Sequence, residues 1–272
     1  MLRKQNSFKT NSIIYFSSHN KHTKMELFLQ IIITFFIGIA AAIVGAITGG
    51  SGLITIPGMI LIGVPVEIAI ATTREGTIAL NAVSAEVYAK KHKIIWKYVI
   101  PLSILGVIGS SIGALLLIDF NKDILELVVG IIILSLLPII YLEKNMGIKD
   151  VETSKLKHII AYILLFPVYI FAGFFGGGAA IFVNTINVGL FGITYIESNA
   201  TSRIPWLIIS IVTFTIFAFS GFINYALGIS LALGMVIGAY IGAQEAMHKG
   251  NAWVKIVFVV VILASATKLL FF

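Results

Sequence analysis

Apolar residues run through this chain in long blocks rather than in alternation with polar ones. From Leu27 to Phe272 they form ten segments in two sets of five. The first set lies at about 27–47, 51–63, 66–89, 97–118 and 123–142. The second lies at about 158–174, 178–191, 195–218, 222–244 and 253–271. Apolar runs of about 18 residues or more predict membrane-spanning helices. A water-soluble chain of this length would need polar faces on its helices, and few exist here. The pattern predicts an all-α polytopic membrane protein.

The second member of each set is short, about 13 residues. At about 1.5 Å per residue it falls short of a hydrocarbon core of about 30 Å. Each is expected to be a half-helix that meets the preceding segment at a glycine-rich break inside the membrane. Setting each residue against the one 128 or 129 positions later pairs Gly45 with Gly173, Gly50 with Gly178, Gly63 with Gly192 and Arg74 with Arg203. The chain therefore reads as two transmembrane repeats, 25–142 and 158–272, joined by a polar linker at 143–157. Residues 1–24 are polar, with a short apolar patch from Ile13 to Phe16. They are expected to be a disordered tail or an untranslated extension, with Met25 as the alternative start.

Charge sets the expected orientation. The loop Lys90-Lys91-His92-Lys93 to Lys97 is the most basic short loop, so it is placed in the cytoplasm. Its counterpart from Phe219 to Tyr225 has no charge. In the next pair of loops the bias reverses: Asp119 to Asp123 is acidic on balance, and His248 to Lys255 is basic. Equivalent loops thus prefer opposite sides, as inverted repeats require. The linker, with Lys144, Lys149, Lys155 and Lys157, falls in the cytoplasm and both termini outside. The five cations of the tail oppose that placement, and three internal loops outweigh them. The net charge of +7 is distributed by topology and does not form a nucleic-acid surface.

The candidate chemistry is sparse. There is no cysteine, which excludes disulfides and thiolate chemistry. The five histidines lie in the tail or at loop edges without metal-ligand spacing, so no metal and no cofactor is expected. No Ser-His-Asp, Cys-His or paired-carboxylate set stands out, and the chain does not read as an enzyme. What stands out is a repeated phrase, Ala71-Thr72-Thr73-Arg74 and Ala200-Thr201-Ser202-Arg203, that puts an arginine into each of two apolar stretches. An arginine cannot shed its charge, and hydrocarbon penalises it. The functional reading is a pair of anchors for an anion, with Thr72, Thr73, Thr201 and Ser202 as hydroxyl donors. The structural reading is a pair of cations neutralised by Glu67, Glu75 or Glu197, or reaching the interface. The glycine clusters, Gly45, Gly49, Gly50 and Gly52, then Gly173, Gly176, Gly177 and Gly178, would let half-helix amides face an anion. Tight helix packing is the alternative. Asn81 is expected on the Arg74 face, and Asn184 and Asn187 near the second break. Glu75 has no counterpart in the second half and is the candidate for proton coupling.

These residues carry a resemblance. Gly49-Gly50-Ser51-Gly52-Leu53-Ile54-Thr55-Ile56-Pro57, Gly63-Val64-Pro65 and Ala69-Ile70-Ala71-Thr72-Thr73 resemble the first signature of the sulfite exporter TauE/SafE family. Gly173-Phe174-Phe175-Gly176-Gly177-Gly178 and Asn199-Ala200-Thr201-Ser202 resemble its second. Ser51 interrupts the first glycine run, and the second half lacks the motif's proline. The resemblance implies secondary transport of small anions, such as sulfite, sulfonates and two-carbon acids, across a bacterial or archaeal plasma membrane, with proton coupling suggested. The expected partners are a small anion and the bilayer, not nucleic acid, with a homodimer left open. An anion channel on the same scaffold and a non-transporting membrane sensor or assembly subunit are the alternatives.

Overall fold

In the computed structural model, residues 21–119 and 147–271 are described, and every regular element among them is a helix. In chain order these are α1 (Lys21–Thr48), α2 (Gly52–Leu61), α3 (Val66–Lys90), α4 (Trp96–Asp119), α5 (Lys155–Phe174), α6 (Ala179–Ile186), α7 (Tyr195–Phe219) and α8 (Tyr225–Phe271). A π-helical turn, Asn187–Phe191, continues α6. Gly250 interrupts α8 with φ 79° and ψ 177°. This divides α8 at the boundary between the last two apolar segments. The fifth expected segment, at 123–142, lies outside the described residues, as do the linker's first residues and most of the tail.

Among the described residues, five stretches are long and apolar enough to cross a membrane: Glu26–Thr48, Trp96–Ile118, Lys155–Phe174, Tyr195–Phe219 and Tyr225–Val257. Their outward faces carry exposed isoleucine, leucine and phenylalanine, including Phe36, Ile104, Ile163 and Leu233. Such a surface suits lipid rather than water. Helix α3 is more polar, and it is sandwiched against α7 and α8. Its Thr72, Thr73, Arg74, Asn81 and Ser84 are buried.

The packing repeats itself when the halves are exchanged. Helix α1 packs on α8 as α4 packs on α5. Helix α3 packs on α8 as α7 packs on α4, and α3 meets α7 in the middle. The outer pairs are brought close by glycine. On α8, substituents at Gly234, Gly238 and Gly242 would stand 2.1–2.3 Å from the carbonyl oxygens of Phe35, Ile39 and Ile43 on α1. On α4, a substituent at Gly113 would stand 1.9 Å from the Ile170 oxygen of α5. Only hydrogen fits between these backbones, which is small-residue membrane packing. The sequence reading had assigned such packing, as an alternative, to the break glycines. It holds for Gly173, where a substituent would stand 2.0 Å from the Ser110 carbonyl oxygen of α4, and also for the stripe Gly234-x3-Gly238-x3-Gly242. The four-residue spacing of the stripe is visible in the sequence.

Two contacts fix how α3 and α7 run. The Asn224 N–H, just past the end of α7, donates to Thr72 near the start of α3 at 3.0 Å. The Ile95 N–H, just past the end of α3, donates to Thr201 near the start of α7 at 3.0 Å. Each helix therefore begins where the other ends, and the two are antiparallel.

The short segments are the return arms of hairpins. Helix α2 folds back along α1: Gly58 packs against Ile37, and Gln30 donates to the Ile62 carbonyl at 2.8 Å. The α5–α6 hairpin closes at its base, where Val151 N–H donates to the Gly192 carbonyl at 2.8 Å and the Thr153 hydroxyl to the Phe191 carbonyl. The described linker residues sit at the start of α7, where Tyr195 N–H donates to the Gly147 carbonyl. Asn251, past the α8 interruption, accepts from Ile196 N–H at 2.9 Å. One face of the bundle therefore gathers the loop after α3, the linker and the α8 interruption, and with them the lysine-bearing loops. The uncharged turn after α7 lies at the other end of α3.

Candidate functional site

The tips of the two hairpins meet at the centre of the bundle. Gly49, Gly176 and Gly178 have φ of 85°, 79° and 80°. That left-handed backbone penalises other residues and lets each helix reverse sharply. A substituent at Gly52 would lie 2.8 Å from the Gly177 Cα, and one at Gly49 would lie 2.7 Å from the Ala180 Cβ. Both glycine clusters are thus brought into direct contact, and Gly50 lies beside Ile181. Neither α2 nor α6 has a side-chain cap or an acidic residue in its first turn. Two positive helix starts therefore converge where the tips touch.

The negative helix ends are held by the arginines, and the holding is reciprocal. Arg74 belongs to the first half and reaches the end of α5 in the second. Its Nη2 donates to the Ala172 carbonyl at 2.9 Å and the Gly173 carbonyl at 3.1 Å. Arg203 belongs to the second half and reaches the end of α1 in the first. Its Nη2 donates to the Gly45 carbonyl at 2.8 Å and the Ala46 carbonyl at 3.2 Å. A helix interrupted inside a membrane leaves carbonyls without partners, and a cation there answers both the hydrogen-bonding need and the helix dipole.

Both arginines are buried, at 6% and 1% exposure, so neither reaches the interface. Among the described residues no carboxylate pairs with either. The expected neutralisation by Glu75 or Glu197 is corrected by the contacts. Glu197 caps its own helix through Thr194, at 2.8 Å from the hydroxyl. Glu75 packs against α8, where a substituent at Gly228 would meet its Oε2, an oxygen that is buried without a hydrogen-bond partner. The Nε of each arginine is likewise buried and unpartnered. Backbone carbonyls satisfy part of each guanidinium but supply no full negative charge.

The remaining expected residues divide between this centre and the scaffold. Asn81 lies in the centre but serves the other arginine, accepting from Arg203 Nη1 at 3.3 Å. Ser202 accepts from Asn187, and Asn187 also donates to Ser198. Thr72 and Thr201 are spent on the loop amides already described. Thr73 bonds back to the Ile70 carbonyl of its own helix at 2.8 Å. The sequence reading missed Asn199, Ser198 and Tyr88. Asn199 accepts from Arg203 and donates to the Ala46 and Ile47 carbonyls. The Tyr88 hydroxyl donates to the Ala46 carbonyl at 2.8 Å. Ser198 donates to Asn184, whose amide donates to the Thr48 carbonyl at 2.9 Å. Asn199 carried a signal, since it stands one helical turn before Arg203 in an apolar stretch. Tyr88 carried none, because tyrosine is common near helix ends.

Membrane-length helices around two touching hairpins, with a buried cation at each tip, define a multi-pass membrane protein with a polar centre. The chain belongs to the sulfite exporter TauE/SafE family, which it matches over residues 34–269. It is similar to the probable membrane transporter protein ORF9 of Sinorhizobium sp, at 27% identity over 86% of this chain and 91% of that protein. It is also similar to a probable membrane transporter protein of Haemophilus influenzae, at 25% identity over 88% of this chain and 94% of that protein. The probable membrane transporter protein YfcA of Escherichia coli is 26% identical over 88% and 89% of the two chains. No solved structure matches the chain significantly.

Proposed function

We propose that this protein is a secondary transporter of a small oxyanion, such as sulfite, an organosulfonate or a small carboxylate, working by alternating access in a bacterial or archaeal plasma membrane. One observation carries the reading. Two guanidinium groups and two half-helix starts concentrate positive charge at the hairpin tips, and no carboxylate among the described residues balances it. A buried charge without a partner is costly, and a site that binds an anion is one way to offset that cost. Gly49, Gly50, Gly52, Gly177 and Gly178 would present backbone, Arg74 and Arg203 charge, and Asn81 and Ser202 hydrogen bonds.

The family and the relatives' names support transport, and the antiparallel run of α3 and α7 supports inverted repeats. The gathering of the lysine-bearing loops on one face supports a cytoplasmic placement of that face. Direct contact between Gly52 and Gly177 supports alternating access over an open channel, since no gap separates the tips there. Glu75, with its unpartnered oxygen one residue from Arg74, is the proposed proton carrier.

The test is flux. Purified protein in proteoliposomes is expected to take up sulfite, sulfoacetate, taurine or a simple carboxylate with saturation, and to respond to a pH gradient. The same anion is expected to raise the melting temperature of the protein in detergent. Flux that never saturates would favour a channel, and no response to any anion would remove the reading.

A further inference from the structure

The two arginines occupy corresponding positions but are held unequally. The 129-residue offset that takes Arg74 to Arg203 also takes Ile70 to Asn199, Asn81 to Ser210 and Tyr88 to Phe217. These are the positions that surround the two cations, and in each pair the amide or phenol stands on the Arg203 side. Asn199 accepts from its Nη2 and Asn81 from its Nη1. Tyr88 braces the arrangement, accepting from Asn199 at 3.3 Å while donating to the Ala46 carbonyl.

Around Arg74 the same positions offer little. Ile70 has no polar group. The Ser210 hydroxyl accepts from Thr77 at 3.1 Å. Phe217 lacks the tyrosine's hydroxyl and presents its ring 5.8 Å from the guanidinium carbon. Arg74 is left with this ring face and its two carbonyls, Ala172 and Gly173. On its other side stands the bare backbone of Gly176, where a substituent would come within 2.6 Å of Nη1.

We infer that the arginines divide the work: Arg203 is a fixed staple on the tip of the α1–α2 hairpin, and Arg74 is the exchangeable cation that an oxyanion draws away from the end of α5. The inference rests on the anion-transport reading and assigns its parts. A hydrogen bond between a guanidinium and an anionic oxygen is shorter and stronger than one to a neutral carbonyl. An arriving oxyanion therefore competes well for Arg74, which has two neutral acceptors to leave. It competes poorly for Arg203, which would have to leave two carbonyls and two amide side chains. Release of the Ala172 and Gly173 carbonyls removes a tie between the halves and frees the α5–α6 hairpin to move. Substrate binding and the first step of the conformational change become one event on one side chain.

The experiment compares Arg74→Lys, Arg203→Lys and the double variant Ile70→Asn/Phe217→Tyr, which gives Arg74 counterparts of Asn199 and Tyr88. Uptake in proteoliposomes uses sulfite and a short sulfonate as probes, and melting temperature is measured on the same preparations. Arg74→Lys is expected to raise KM by about tenfold or more, a larger rise than Arg203→Lys produces. Arg203→Lys is expected to lower the melting temperature more than Arg74→Lys. The double variant is expected to raise both the melting temperature and KM, because a better-held Arg74 is harder to draw off. If it fails to fold, the lysine variants decide. Equal shifts in KM and melting temperature for the two lysine variants, or an unchanged KM in a folded double variant, would overturn the division of labour alone. A wild-type protein that responds to no anion would overturn the transport reading, and this inference with it.

Discussion

Asn199 joins the arginine of one half to the broken helix of the other. Its amide bonds two carbonyls at the end of α1, and its oxygen accepts from Arg203. Asn199→Leu keeps the size and removes both functions, leaving buried polar groups unpaired. The expected loss is about 1–3 kcal/mol, read as a lower melting temperature in detergent. Glu75 is a different case, because its buried Oε2 bonds nothing in the protein. Glu75→Gln keeps the shape and removes the exchangeable proton. Stability is expected to change little, while uptake is expected to lose its response to a pH gradient. Full retention of that response would remove Glu75 from the coupling. At this scale the sequence exposed the arginines, since a charge in an apolar stretch is conspicuous. It hid their main-chain acceptors, since a backbone carbonyl belongs to every residue type.

The elements are positioned by contacts that tolerate only hydrogen. Gly238 on α8 faces the Ile39 carbonyl of α1, and a side chain there must push the helices apart. Gly238→Leu is expected to destabilise by at least about 1–3 kcal/mol, the usual range for overpacking, again read by thermal denaturation. Gly52 stands where the hairpin tips touch. Gly52→Leu is expected to abolish anion uptake even in protein that reaches the membrane, because the bulk separates the two half-helix starts. Normal uptake by that variant would mean that the tips are not the site. The short segments were legible from length alone. Their course was not: the sequence predicts a break inside the membrane, and either a continuation or a return satisfies it. The bonds from Gln30 to Ile62 and from Val151 to Gly192 decide for a return.

The whole molecule is organised by an exchange of halves. Each half supplies an arginine to the other's hairpin and a loop amide to the other's central helix. Antiparallel α3 and α7 make the ends of the bundle unlike in charge. Cysteine labelling suits this chain, which has no native thiol. Exposed positions Lys91→Cys and Lys249→Cys are expected to react from one side of the membrane, and Ser220→Cys from the other. Labelling of Ser220→Cys from the same side as Lys91→Cys would exclude inverted repeats.

Length, hydropathy and spacing are local properties, and they determined what could be read locally. The apolar segments, the glycine breaks, the unlike loops and the recurrence of an arginine about 129 residues on all follow from the order of residues. The tertiary structure decided what those features meet. Arg74 bonds carbonyls 98 and 99 residues away, and Arg203 bonds carbonyls 158 and 157 residues away. These partners are backbone groups at the ends of helices in the opposite half of the chain. Such acceptors have no residue-type signature, so only folding could bring them into view.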